Sequence, residues 1–275
     1  MYEGYWGLRE RPFHTTPDPR FLYRSSQHEE GLLRLLYAIQ QRLGAGMLTG
    51  VYGCGKTTLA RALIKELSNE RFKIAFITNP KLTYVELMML ILQELGVNDL
   101  PTMRSEVLAN RLFVRLKELL SHNMQEGKET VVIVDEAHVI EEREVFEGLR
   151  LLLNFQTDER YLLTLLLLGQ PELKRKVDDL RPFEQRIAIK WHLGSLSDQE
   201  TFAYLRHRLE IAGSTRELFT EEAVSAIHQA SGGIPRRINR LCDLCLLAGM
   251  GQGASIVDRT IVEEEIAGLG EGRTA

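Results

Sequence analysis

Gly50-Val51-Tyr52-Gly53-Cys54-Gly55-Lys56-Thr57 fits the phosphate-cradling pattern GxxxxGK, followed by Ser or Thr, at every fixed position. Met47-Leu48-Thr49 before it reads as a short buried strand, and Thr58 to Leu67 after it reads as a helix. A glycine-rich turn between strand and helix aims successive backbone N–H groups at a phosphate, and the helix N-terminus adds partial positive charge. Gly50, Val51, Tyr52, Gly53, Cys54, Gly55 and Thr58 would thus line a phosphate site. Lys56 would reach the β- and γ-phosphates, while the Thr57 hydroxyl would ligate Mg²⁺. A chance glycine-rich turn is the competing reading, and the flanks weigh against it.

Outward from this loop, strand-like runs alternate with helical ones. Strands are predicted at 47–49, 73–77, 130–135, 162–168 and 187–191, and helices at 56–68, 83–95, 105–121 and 143–155, with shorter pieces near 171–186. Continuous apolar strands separated by helices imply a parallel sheet covered on both faces. Right-handed crossovers then limit the topology to a doubly wound α/β domain. Ahead of it, a helix is expected from Ser26, where Ser26-x-x-Glu29 has the form of a capping box. After Leu193 the pattern becomes all-helical: Ser197-x-x-Glu200 caps a helix to about Ala212, Thr220 opens another, and further helices cover 235–249 and 257–267. The expected organisation is an aromatic and proline-rich arm at 1–24, a nucleotide-binding domain at 25–194, a helical lid at 195–267 and a flexible tail at 268–275.

Val131-Val132-Ile133-Val134-Asp135-Glu136 is a buried strand closed by two carboxylates. The C-terminal ends of strands are where α/β sheets bind ligands. Asp135 would help hold Mg²⁺, and Glu136 would polarise the water that attacks the γ-phosphate. Two solvated acids closing a strand would be the default reading, but the glycine-rich loop upstream favours catalysis. Asp135-Glu136-Ala137-His138 also spells a helicase signature. It carries little weight, because such enzymes need a second nucleotide-clamping domain. Gln170 follows the strand at 162–168, where its amide would contact the attacking water or γ-phosphate. Asn79-Pro80 is either a plain turn or a hydrogen-bonding restraint on Glu136. Arg181 and Arg186 precede the last strand, and Arg186 is the preferred candidate for an arginine acting on a neighbouring subunit's nucleotide. Arg236, in the turn Gly232-Gly233-Ile234-Pro235-Arg236, would reach back to the γ-phosphate.

The remaining composition excludes more than it identifies. Of 275 residues, 44% are hydrophobic and 26% charged, which suits soluble domains with a substantial core. A net charge of −4 advertises no nucleic-acid surface, although a local basic patch would be hidden in that average. Cys54, Cys242 and Cys245 are too few and too odd in number for a disulfide framework, and they suit a reducing cytoplasm. Cys242-x-x-Cys245 lies in an apolar helical pattern without a second ligand pair, so core packing is expected rather than zinc. The N-terminus has no basic region followed by an apolar run, and 162–168 is too short to span a bilayer.

Together these motifs resemble an AAA+ ATPase, with Walker A at 50–57, Walker B at 131–136, a first sensor at Gln170, a finger before the last strand and a second sensor at Gly233 to Arg236. Tyr5-Trp6-Gly7-Leu8, Arg11-Pro12-Phe13, Thr16-Pro17-Asp18-Pro19-Arg20-Phe21-Leu22-Tyr23, Leu168-Gly169-Gln170-Pro171-Glu172-Leu173 and Gly232 to Arg236 are similar to the general secretion pathway protein A (ExeA-like) family. That resemblance implies a Mg²⁺- and ATP-dependent hydrolase with an AAA+ core and helical lid, and the nucleotide held between them. It implies a homo-oligomer with protein partners in an envelope-spanning secretion, pilus or exopolysaccharide system. It further implies a cytoplasmic module recruited to the inner membrane. A related class, the ATPases that regulate transposition, binds duplex DNA and is the alternative. Lys174-Arg175-Lys176 and Arg236-Arg237 with Arg240 are the basic clusters open to that role.

Overall fold

The computed structural model describes residues 1–16, 18–67, 70–100 and 106–271. Expectations for Pro17, Ser68, Ser105 and 272–275 lie outside the described residues. By internal packing the chain divides into two units: residues 29–52 with 59–193, and residues 1–28 with 53–58 and 194–275.

The first unit is built on five parallel strands: β1 (Ala45–Gly50), β2 (Phe72–Ile77), β3 (Glu129–Val134), β4 (Leu163–Gly169) and β5 (Ile187–Leu193). Their order is β2-β3-β4-β1-β5. The register pairs Val134 with both Ile77 and Leu167, and Met47 with Leu167, so β1, β3 and β4 end at one edge. Central strands show no polar phase, because side chains alternate between two apolar layers. Met47, Val132, Val134, Leu165 and Leu167 enter one layer with residues of α4 (Tyr84–Glu94), α5 (Glu106–Gln125), α6 (Arg143–Leu152), α7 (Pro171–Asp178) and α8 (Arg181–Glu184). On the other face, the small Gly46 leaves room for Leu35 and Ala38 of α2 (Ser26–Gln40) and for Leu166 of β4. Buried Leu59 and Leu63 of α3 (Lys56–Glu66) belong to this unit as well. The doubly wound parallel α/β fold read from the sequence is the fold observed.

The second unit is helical. It contains α9 (Asp198–Ile211), α10 (Glu221–Ser231), α11 (Pro235–Gly251) and α12 (Arg259–Glu271). Ser197 forms the expected capping box with Glu200, and Thr220 caps α10 through the Ala223 N–H. The N-terminal arm is part of this unit's core: Tyr2, Trp6, Leu8 and Phe13 pack with Leu205, Leu209, Leu241 and Leu246. It is not wholly extended, since Glu3–Trp6 forms one helical turn, α1, closed by Gly7 in the left-handed region. Trp6 Nε1 donates to the Leu246 carbonyl at 2.8 Å, and the Arg9 N–H donates to the Ala212 carbonyl at 2.8 Å. Buried Arg208 donates to the carbonyls of Pro12 and His14, so a single guanidinium binds the arm to α9.

One cap and one boundary differ from expectation. α2 begins at Ser26, which makes Ser25 the residue before it; the Ser25 hydroxyl accepts from the His28 N–H, displacing the capping role from Ser26. α12 continues through Gly268 and Gly270 to Glu271 where a flexible tail was expected from 268. Each helical glycine costs only about 1 kcal/mol relative to alanine, and Leu269 packs against the helical core. Cys242 and Cys245 are fully buried in that core, and burial pushes the Cys245 thiol up to about 12. Both thiols pack among the apolar side chains of that core. No described helix is long and apolar enough to cross a membrane.

Candidate active site

The glycine-rich loop is divided between the units: residues 50–52 group with the sheet and 53–58 with the helices. Gly53 at φ +85° and Gly55 at φ +102° occupy backbone conformations that a side chain would strain. Space forbids side chains there too. A Cβ on Gly53 would lie 2.6 Å from the Arg236 Cβ, and one on Gly55 would lie 3.0 Å from His28 Nε2. The Arg236 N–H donates to the Gly53 carbonyl at 3.2 Å, so the predicted sensor arginine is tied to the loop through its backbone. The turn before it is equally constrained: the Gly233 carbonyl accepts from the Leu196 N–H at 2.8 Å, and a Cβ on Gly233 would lie 2.1 Å from the Leu196 oxygen.

His28 supports the loop from below, a role the sequence reading did not assign. Its Nε2 lies 2.9 Å from the Cys54 carbonyl and its Nδ1 lies 2.7 Å from Ser25 Oγ. A carbonyl only accepts, so Nε2 carries the proton and Nδ1 accepts from the serine. One loop carbonyl is thereby held by protein, away from an incoming phosphate. Lys56 is only 5% exposed, and its Nζ lies 4.0 Å from the Sγ of fully buried Cys54. That burial removes the thiol from solvent reagents, against the reactivity a cysteine in this loop suggests.

Burial pushes His28 below the ordinary histidine range, and burial followed by the Arg208 charge does the same for His14 and His207. A base with a depressed folded pKa stays neutral while the unfolded chain takes up protons. Its contribution is therefore complete above about pH 6.5 and is lost as pH falls below that value. Thermal unfolding should show a midpoint constant from pH 8 to 7 and declining between about pH 6.5 and 5. A midpoint flat over that second interval would remove these histidines as the cause.

The acidic residues follow β3 in the sheet unit. The Asp135 N–H donates to the Ile77 carbonyl at 2.8 Å, continuing the ladder one residue past the strand, and Asp135 is 2% exposed. Its Oδ1 accepts from the Glu136 N–H at 2.8 Å. Glu136 lies in the left-handed region at φ 53°, ψ 29°, which costs a non-glycine residue about 1–2 kcal/mol. Its strained backbone starts the turn Ala137–Val139. Gln170 follows β4 as the N-cap of α7, but its side chain makes no capping bond. Instead its Nε2 lies 2.9 Å from His138 Nε2, and His138 Nδ1 lies 3.3 Å from a Glu136 carboxylate oxygen. Thus Asp135, Glu136 and Gln170 meet at one edge of the sheet, joined by a histidine that sequence reasoning set aside.

Two other candidates lie differently. Asn79 is exposed and makes no hydrogen bond to Glu136 in this arrangement. Arg186 is half-buried and donates through Nη1 to the Leu153 carbonyl at 3.0 Å, at the end of α6, whereas Arg181 is exposed at the start of α8.

The AAA domain family matches residues 39–177, from the end of α2 through α7. General secretion pathway protein A of Aeromonas hydrophila is 41% identical over 98% of the chain, which spans 49% of that relative's length. The chain thus spans about half or less of the length of the curated relatives it matches. Among solved structures, the Aeropyrum pernix ORC2 protein in its ADPNP–ADP complexes superposes with a TM-score of 0.71 at 20% identity, covering 95% of this chain and 72% of that one. The Thermotoga maritima RuvB branch migration motor superposes at 0.58 with 20% identity, over 88% of this chain and 68% of that one. These structural likenesses carry the fold, and the sequence match carries the family. With its phosphate loop, its strand-end carboxylates and this match, the chain belongs to the AAA domain family and is a nucleotide-binding AAA+ ATPase similar to general secretion pathway protein A.

Proposed function

We propose that the chain is the ATP-hydrolysing module of an oligomer that couples turnover to assembly of a secretion, pilus or exopolysaccharide system of the cell envelope. The observation that carries this reading is the 41% identity to general secretion pathway protein A, which extends over the aromatic arm as well as the ATPase core. In this reading the module works in the cytoplasm and is recruited to the inner membrane by its partners.

The residue roles follow the chemistry of each group. The backbone from Gly50 to Thr58 holds the phosphates, with Lys56 on the β- and γ-oxygens. Thr57 and Asp135 offer hard oxygen donors, a set that suits Mg²⁺, which takes few protein ligands when phosphates supply others. When bound, the ion neutralises charge developing on the phosphates. Glu136 orients the attacking water, Gln170 contacts the γ-phosphate, and Arg236 reports phosphate occupancy to the helical unit. Arg186 acts on a neighbour's nucleotide, which requires it to leave the Leu153 carbonyl; exposed Arg181 is the competing candidate.

The test is the solution mass of Glu136→Gln with Mg²⁺ and ATP at low salt, with and without duplex DNA. Growth of the assembly with ATP alone is the expected result. Growth that requires DNA would overturn it in favour of a transposition-regulator type of ATPase, and steep salt dependence would accompany that outcome.

A further inference from the structure

His138 is the most connected side chain of the acidic strand end that the catalytic reading leaves unused. Its ring is 13% exposed, and its Nδ1 is buried without a hydrogen-bond partner among the described residues. The turn carrying it is fixed from two sides. Lys176 Nζ donates to the carbonyls of His138 and Ile140 at 2.6 Å each, and a Cβ on Gly169 would lie 3.1 Å from the His138 nitrogen. The ring therefore has little freedom except to rotate between its two polar neighbours.

Those neighbours determine its tautomer. The Gln170 amide nitrogen only donates, so His138 Nε2, at 2.9 Å, must be the accepting nitrogen. The single proton of a neutral imidazole then lies on Nδ1. That atom faces the Glu136 carboxylate at 3.3 Å, out of line for a hydrogen bond in this arrangement. A buried N–H one small rotation from a carboxylate is held ready to donate, because leaving it unpaired costs about 1–3 kcal/mol. The same contact bears on a residue whose backbone is already in the left-handed region.

We propose that His138 is a positioning residue that couples Gln170 to Glu136. Movement of the Gln170 amide rotates the imidazole, and Nδ1–H then takes or releases the carboxylate that orients water. Glu136 is in this way set by the occupancy of the position Gln170 contacts. This inference rests on the catalytic reading of Glu136 and Gln170.

Steady-state ATP hydrolysis, with kcat and KM measured separately and Kd from a fluorescent nucleotide, tests it. His138→Ala should lower kcat by about 10²-fold, the scale of a misplaced catalytic group, with KM and Kd changed less than about threefold. His138→Asn places an amide nitrogen where Nδ1 stood, and should recover kcat to within about tenfold of wild type. His138→Gln places its amide where Nε2 stood and should remain near the alanine variant. Adding Gln170→Ala to His138→Ala should lower kcat no further than the worse single change, since the two act in series.

Unchanged kcat in His138→Ala would overturn the coupling. So would equal loss in the asparagine and glutamine variants, or affinity falling in step with kcat, both of which mark a structural role. Glu136→Gln is the control: if it retains turnover, the catalytic reading itself fails. If it loses turnover while His138→Ala does not, only the coupling fails. Should His138→Ala fail to fold, the ranking of the asparagine and glutamine variants decides alone.

Discussion

Glu136→Gln is expected to bind ATP as wild type does and to turn it over about 10²–10⁴-fold more slowly. The change keeps the shape of the side chain and removes only its capacity to take or orient a proton. Its backbone, held at φ 53°, makes no greater demand on glutamine than on glutamate. The Asp135 carboxylate keeps the same N–H at 2.8 Å, so the neighbouring acid is not displaced. Stability without nucleotide should therefore be unaltered, and ATP should raise the unfolding midpoint by the wild-type amount. The readouts are steady-state turnover and thermal unfolding with and without Mg²⁺ and ATP. Equal turnover by variant and wild type would remove Glu136 from the chemistry.

Lys56→Ala should fail at the earlier step. A buried ammonium that meets a polyphosphate forms charge-assisted hydrogen bonds, and truncating one side of such a pair costs about 2–5 kcal/mol. At 1.4 kcal/mol per tenfold, Kd should rise by roughly 30- to several thousand-fold. Lys56 is 5% exposed, so the unliganded protein holds a charge in a desolvated place. The variant is compared with wild type both without and with nucleotide. What it should lose is the rise in midpoint on adding ATP, read by calorimetry alongside Kd from titration. A variant that still binds with wild-type affinity would place the phosphates elsewhere.

The parts of this molecule visible in the sequence are those governed by local pattern. The strands of the sheet announce themselves as apolar runs because both faces are covered, and their observed ends fall within two residues of expectation. The loop is legible since Gly53 and Gly55 take positive φ, where a side chain would be strained. Contacts made across the chain were less visible. His28 stands 26 residues before the carbonyl it holds, and no spacing rule connects them. His138 was in plain view, two residues beyond Glu136, but its partner Gln170 lies 32 residues on, after the next strand. The arm's rings announced packing, while their destination in the helical core depends on partners such as Leu246, 240 residues away from Trp6.

That last separation has a consequence for biosynthesis. The helical unit draws on the first 28 residues, on 53–58 and on the stretch after Leu193, with the whole of the sheet unit encoded between the first and last of these. At roughly 5–20 residues per second of translation, Trp6 leaves the ribosome on the order of 10–50 seconds before Leu246. During that interval the sheet can complete itself, since all of its strands have emerged. The aromatic arm cannot bury Tyr2, Trp6 and Phe13 until its helical partners follow. Burial of these rings therefore comes late in folding, after the sheet and only once the partners on α11 have been made.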